Sequence, residues 1–184
     1  LQPVAEGHLE KCEACLTRIR DGINLLRNNE SIRRAFRMAN LSMLLQQIAT
    51  KQLKRRPLTG VDFEPWLEAG GRHTPPWDIY TNNGESDEIG SWRAFQIAFL
   101  LMSLKGVSEG CAGDWSDERE IVDLIWFPTG GGKTEAYFGA MAFEIALRRI
   151  RYGDKGNGTA VISRYTLTLL VSQQFQRTAS LVCA

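Results

Sequence analysis

Three consecutive glycines followed by Lys-Thr, in "IWFPTGGGKTEAYFG" (Ile125 to Gly139), constrain this 184-residue chain more than any other feature. Phosphate is held well by backbone N–H groups that converge on it, and side chains would block the approach. Gly130, Gly131 and Gly132 remove that obstruction and permit the positive φ angles that a nest-shaped loop requires. A helix starting directly after the loop adds its N-terminal amides and partial positive charge. Lys133 then reaches the β- and γ-phosphates of a nucleoside triphosphate, and the Thr134 hydroxyl can ligate Mg²⁺. ATP with Mg²⁺ is therefore the expected ligand. Pro128-Thr129-Gly130 suits the Walker A pattern, while Phe127 stands where that pattern asks for Gly or Ala.

The flanks of the loop predict its fold class. "IVDLIWF" (121–127) is β-branched and aromatic and reads as a buried parallel strand, with Asp123 marking a strand end or a paired site. A helix is predicted from about Lys133 to Tyr152, then the turn "GDKGNG", a short strand "TAVIS" (159–163) and a helix through "LTLLVSQQFQRTASLV". Strand, helix, strand, helix with short loops is a βαβ unit plus one helix. The expected fold is α/β, a partial P-loop domain with a parallel sheet, occupying residues 91–184. "SWRAFQIAFLLMSL" (91–104) opens it as a buried helix capped by Ser91, and a Gly- and acid-rich loop follows from Gly106 to Glu120.

Residues 1–56 read as an α-helical N-terminal region. Leu9, Cys12, Leu16, Ile19, Ile23 and Leu26 recur at spacings of three and four, the seam of an amphipathic helix that ends near Asn28, Asn29 and Ser31. A second helix follows, with Ile32, Phe36, Ala39 and Met43 on one face, and the short link predicts antiparallel packing. Residues 57–90 are rich in Gly, Pro, Asn and acid, with Trp66 and Trp77 interspersed, and are expected to form an ordered irregular connecting segment. His73, beside Thr74-Pro75-Pro76, is a turn residue there rather than a base. The chain begins at Leu1 without a basic-then-apolar leader and stops at Ala184 inside an amphipathic pattern, as an excerpt of a longer protein would.

Charge is unevenly spread. Residues 1–56 hold eleven Lys/Arg against five Asp/Glu, residues 57–120 four against twelve, and residues 121–184 seven against four. The basic first block can meet nucleic acid through Arg33, Arg34, Arg37, Lys51, Lys54, Arg55 and Arg56, or simply fold against the acidic block. His8, Cys12 and Cys15 sit at metal-like helical spacings, but no second close pair completes a zinc site, and Cys12 belongs to the packing seam. The four cysteines suggest no disulfide framework, so the cytoplasm is the expected compartment. The longest nearly apolar run, Ala94 to Leu104, falls short of the roughly 20 residues that a membrane span needs.

Two further constellations gain meaning beside the loop. "WRAFQ" places Arg93 and Gln96 upstream of Lys133, and a glutamine amide, donor and acceptor together, suits the N6/N7 edge of adenine. "SRYTLTLLVSQQ" follows the second predicted strand, where Arg164, Thr166 and the next helix's amides can grip the phosphates of a nucleic-acid strand. Together, "WRAFQIAFLL", "FPTGGGKTEAY" and "RYTLTLLVSQQFQRTA" resemble the first RecA-like domain of superfamily 2 helicases, and more narrowly the DrmA type of the DISARM bacterial anti-phage systems. The resemblance covers about residues 91–184, with an echo in "AFRMANLSMLLQQ".

The resemblance implies that Gly130, Gly132, Lys133 and Thr134 bind ATP–Mg²⁺, that Gln96 and Arg93 read or orient adenine, and that Arg164, Tyr165 and Thr166 face a DNA backbone. Thr168 stands where this group would carry a basic residue. A partner subunit of the DrmB type is implied as well. The acidic metal-holding box and the arginine finger of such motors have no counterpart here, and the finger alone is worth ~10³–10⁵ in rate. The expected activity is ATP-driven translocation or unwinding of DNA by a longer protein, with negligible turnover by this chain. Two alternatives remain: a nucleotide-gated scaffold that recruits a partner without moving DNA, and another P-loop phosphotransferase, which "WRAFQ" and "RYTL" count against.

Overall fold

Helices dominate the architecture of the described residues. The computed structural model describes residues 2–55, 91–113, 117–126, 132–164 and 168–183. Among them run α1 (Gln2–Asn28), α2 (Glu30–Arg55), α3 (Ala94–Ala112), α4 (Lys133–Tyr152) and α5 (Thr168–Cys183). Short 3₁₀ turns cover Asp117–Arg119 and Gly153–Gly156.

The parallel sheet expected from the sequence does not form. Among the described residues there is no strand, so this structure is not an α/β P-loop fold. Residues 121–126 have neither helical nor ladder structure, and Val122 (91%), Leu124 (82%) and Trp126 (87%) stand exposed. Residues 159–163 are likewise unpaired, with Ile162 88% exposed. The physical reason is that β-branched composition supplies a preference, whereas a strand exists only through hydrogen bonds to a neighbour. These two runs do not pair with each other.

The chain divides into two compact units. The first comprises residues 1–40 and 92–164, the second residues 41–91 and 165–184. In the first, α3 packs against both α1 and α4. Gly22 lets α1 close onto α3: a β-carbon there would overlap the backbone carbonyl of Leu101. Leu100 and Leu104 of α3, with Phe138, Phe143 and Leu147 of α4, form the fully buried core. Phe99 meets Tyr137 edge-on, ring centroids 5.8 Å apart. Burying a large side chain of this kind is worth about 1.5–3 kcal/mol.

The neighbour that α1 takes is α3, not the expected antiparallel α2. Asn29 separates α1 from α2, and its side-chain oxygen accepts from the amide of Ile32 (3.1 Å), an N-cap for α2. The buried side of α2 in the first unit is Ile32, Ala35 and Ala39, and Asn40 accepts a 2.7 Å bond from the Trp92 indole. Only the C-terminal half of α1 is covered. Leu9 (64%) and Leu16 (43%) are exposed and so is Cys12, which therefore lacks the packing role that its spacing suggested. Periodicity shows which face is apolar, not whether anything covers it.

The predicted loop from Gly106 is also corrected. α3 continues to Ala112 and ends at Gly113, whose φ of 80° is left-handed and whose amide turns back to the Glu109 and Gly110 carbonyls. Gly110 is a close-approach site for the Arg119 guanidinium, so that glycine serves packing rather than a turn. Ser91 is not the cap of α3; Arg93 occupies the N-cap position. In the second unit Met43, Gln46 and Leu181 are buried, while Phe175 on α5 is 72% exposed. The connecting segment 57–90, with His73, Trp66 and Trp77, lies outside the described residues. No described helix is long and apolar enough to cross a membrane.

Candidate functional site

The end of the glycine run is where α4 begins. Gly132 holds φ 86° and ψ 28°, a left-handed conformation that costs an L-residue roughly 1–2 kcal/mol and glycine almost nothing. Most helices cover their first-turn amides with an Asp, Ser or Thr oxygen at this position; Gly132 has no side chain to do so. Lys133 and Thr134 follow, both half-buried. Glu135 turns back toward the loop: its carboxylate lies 3.3 Å from where a β-carbon on Gly132 would stand. An acid in the first turn suits the helix dipole and would share this ground with a phosphate.

Gln96 joins this point from 36 residues upstream. Its Nε2 donates to the Gly132 carbonyl at 2.8 Å, and its Oε1 accepts from the Arg93 amide at 2.9 Å. Gln96 is 5% exposed, so its amide is a buried polar group with both ends satisfied. The Arg93 carbonyl accepts in turn from the amides of Gln96 (2.9 Å) and Ile97 (3.2 Å), while the Arg93 residue stays exposed. Any β-carbon on Gly132 would stand 2.6 Å from Gln96 Nε2. The structure thus brings Arg93, Gln96, Gly132 and Lys133 to one place.

Arg164 follows a stretch of chain that comes back to α4. Arg148 donates to the carbonyls of Gly156, Asn157 and Thr159, each at 3.3 Å, and fastens the chain that leaves the helix. Ser163 then contacts the Met141 sulfur at 3.9 Å, so residues 157–163 run back along α4. Met141 is eight residues beyond Lys133, roughly 12 Å along the axis. Arg164 follows Ser163 directly and is exposed. Thr129, Gly130 and Gly131, like Tyr165 and Thr166, lie outside the described residues, as does Phe127.

A second polar constellation surrounds Arg18 of α1. Its guanidinium donates to both Asp123 oxygens (2.6 and 2.9 Å), to Glu118 (3.2 Å) and to the Met102 carbonyl (3.5 Å). The bond to Asp123 raises the Arg18 pKa above its ordinary value, against the opposing pull of burial. Lys105 adds contacts to Asp21 (3.7 Å) and Glu118 (3.9 Å). Of the basic first block, Arg18 thus pairs with Glu118 of the acidic block and with Asp123 beyond it. On α4, burial pushes the Glu144 carboxyl up, and Arg148, Arg119 and Arg151 pull it back only in part. Burial also raises the Cys111 thiol, with Glu144 adding to the effect.

The metal-like trio His8, Cys12 and Cys15 lies on the exposed half of α1, and no group of three potential ligands that could hold a metal occurs among the described residues. Of the basic helix face, Arg34 and Arg37 are exposed, whereas Arg33 pairs with Glu30 and reaches the Arg27 carbonyl. Sequence inspection missed Arg18, whose partners are remote in sequence, and Arg148, whose bonds to the carbonyls of the turn after α4 leave no mark in a helical pattern. Asp123 alone gave a signal, a charge inside an apolar run.

No protein-family model matches the chain, and no solved structure matches it. Among curated proteins, the DISARM protein DrmA of Bacillus paralicheniformis is 37% identical over 186 residues, an alignment that takes in 97% of this chain and 14% of DrmA. The chain spans only that small share of its relative's length. By this likeness, which spans nearly the whole chain, it is similar to one segment of a DISARM protein.

Proposed function

We propose that this chain supplies the ATP-binding segment of an anti-phage defence helicase or translocase of superfamily 2, acting on DNA with a DrmB-like partner subunit. The observation that carries it is the bond from Gln96 to Gly132, which puts the amide suited to adenine beside the glycine that opens α4. The relative's name supplies the defence context. ATP fits the residues present. Gly132 provides an uncapped, left-handed entry to a helix N-terminus, and the Gln96 amide and Glu135 carboxylate that lie against it would have to give way to the ligand.

In this scheme the amides of Gly130, Gly131 and Gly132 and the ammonium of Lys133 hold the β- and γ-phosphates, with Thr129 lining the loop. The Thr134 hydroxyl holds Mg²⁺, which screens the phosphate charge. Gln96 and Arg93 orient adenine, and Gln96 does so by exchanging its present partners for the base edge. Arg164, Tyr165 and Thr166 contact the DNA backbone. Acid and arginine groups needed for hydrolysis would come from elsewhere in a protein as long as DrmA.

ATP hydrolysis by the full-length protein that carries this segment tests the proposal, measured with and without single-stranded DNA beside Lys133→Ala. The expected result is a DNA-stimulated rate that falls by about 10²-fold or more in the variant, as loss of a phosphate-binding charge at the transition state requires. Lys133-dependent ATP binding without DNA-stimulated turnover would instead establish a nucleotide-gated scaffold.

A further inference from the structure

The arginines of α1 and α2 divide into those that find an acid and those that do not. Arg18 meets Glu118 and Asp123, and Arg33 pairs with Glu30. Arg20, Arg27, Arg34 and Arg37 are exposed, and among the described residues their side chains enter no hydrogen bond or ion pair. Residues 20–40 hold five arginines against two acids, Asp21 and Glu30. Both acids are already engaged, Asp21 with Lys105 (3.7 Å) and Glu30 with Arg33. Four guanidiniums are thus a surplus of positive charge that the described fold does not answer.

Helix periodicity gathers them on the outer side. Arg20, Asn24 and Arg27 follow at i, i+4 and i+7, so they share one face of α1, and all three are exposed. Gly22, which closes α1 against Leu101, lies on the other side, roughly 200° around the helix from Arg20. On α2, Arg34 and Arg37 are one turn apart, away from the buried Ile32, Ala35 and Ala39. The Arg33 guanidinium donates to the Arg27 carbonyl at 3.3 Å and draws the first turn of α2 onto the last turn of α1. Counted by helix rise, Arg27 stands about 3 Å before Asn29 and Arg37 about 12 Å beyond it. The exposed Asn28 adds a further amide at this corner.

A surface of this kind suits a polyanion whose charges recur at short intervals. A nucleic-acid backbone carries a phosphate at every step, whereas an acidic protein presents its carboxylates irregularly. Guanidinium forks and asparagine amides grip phosphate oxygens without reading bases.

We propose that the corner between α1 and α2 is a nucleic-acid surface, on which Arg20, Arg27, Arg34 and Arg37 hold the phosphate backbone of a strand whatever its base sequence. It is a second backbone contact, additional to the one assigned to Arg164, and it does not depend on the binding of ATP.

The test is fluorescence anisotropy of a labelled single DNA strand of about 20 bases, titrated with the 184-residue chain without nucleotide at salt from about 50 to 200 mM. It compares wild type, Arg20→Gln with Arg27→Gln, Arg34→Gln with Arg37→Gln, and Arg164→Gln. Lys11→Gln with Lys155→Gln removes the same charge from exposed positions elsewhere. Glutamine keeps the helix propensity of arginine, and circular dichroism verifies the fold of each variant. Each arginine pair is expected to weaken binding about ten-fold at the lower salt. Each should also flatten the dependence of log K on log salt by about 1.4, the counterions of two phosphates on a single strand. The lysine pair is expected to bind within about two-fold of wild type. Equal losses in the lysine pair overturn the proposal, as general attraction between net charges. Wild-type affinity and slope in both arginine pairs also overturn it, and a loss confined to Arg164→Gln then leaves the Arg164 contact standing alone. Poly-L-glutamate that displaces the strand at equal charge concentration overturns it in favour of an acidic protein partner. Absence of strand binding by wild type overturns it outright.

Discussion

Gly132 and Gln96 show how a single backbone angle can hold a site together. The left-handed φ at Gly132 aims its carbonyl at the Gln96 amide, and the absence of a β-carbon leaves room for that amide at 2.8 Å. Each feature is useless without the other, because a buried glutamine without partners would cost about 1–3 kcal/mol. Glu144 is a second residue with a definite signature. Burial raises its pKa, so the folded state prefers the protonated carboxyl. Stability from this group is present below the ordinary carboxyl pKa of 4.5 and is lost as pH rises through the higher folded value. Glu144→Gln removes that penalty. Urea denaturation across pH 4 to 8 should show the variant gaining on wild type as pH rises through and above the carboxyl range, with the difference closing toward pH 4. A constant difference at all pH values would mean that Glu144 does not titrate with folding.

Among elements, the α1–α3 crossing decides most. α1 is 27 residues long, yet it is anchored through Gly22 and Arg18, in the half that α3 covers. Backbone against backbone leaves no flexible group to yield, so Gly22→Ala must push the helices apart. A cost of about 1–3 kcal/mol is expected, read as a lower thermal midpoint and faster amide exchange in α1 with α4 little changed. Unchanged exchange in α1 would show that the crossing is not its anchor. Helix spans were largely legible from the sequence: the α4 bounds of Lys133 and Tyr152 match the expected ones. The end of α3 was not. Gly106 and Gly110 read as loop punctuation, although Gly110 is small because the Arg119 guanidinium lies against it.

At the scale of the whole molecule, Val122, Leu124 and Trp126 leave an apolar stretch facing water directly before the glycine loop. Such surface favours dye binding and self-association. Leu124→Lys should therefore reduce ANS fluorescence and concentration-dependent association while shifting the urea midpoint by less than about 0.5 kcal/mol, the range of surface changes. A large loss of stability would instead reveal that Leu124 has a partner in the folded chain. What the sequence by itself determined is local: the glycine run, the helices with their apolar faces, the Asn29 cap, and the charge at Asp123 that asked for a partner. These follow from steric limits and from a period of 3.6 residues, which neighbours in sequence suffice to reveal. Only the tertiary structure decided that Arg18 is that partner, that Gln96 bonds to Gly132, that α1 packs on α3, and that two β-prone runs remain without a sheet. Each depends on groups distant in sequence meeting at bonding distance, and a ladder or an ion pair has no existence in either half alone.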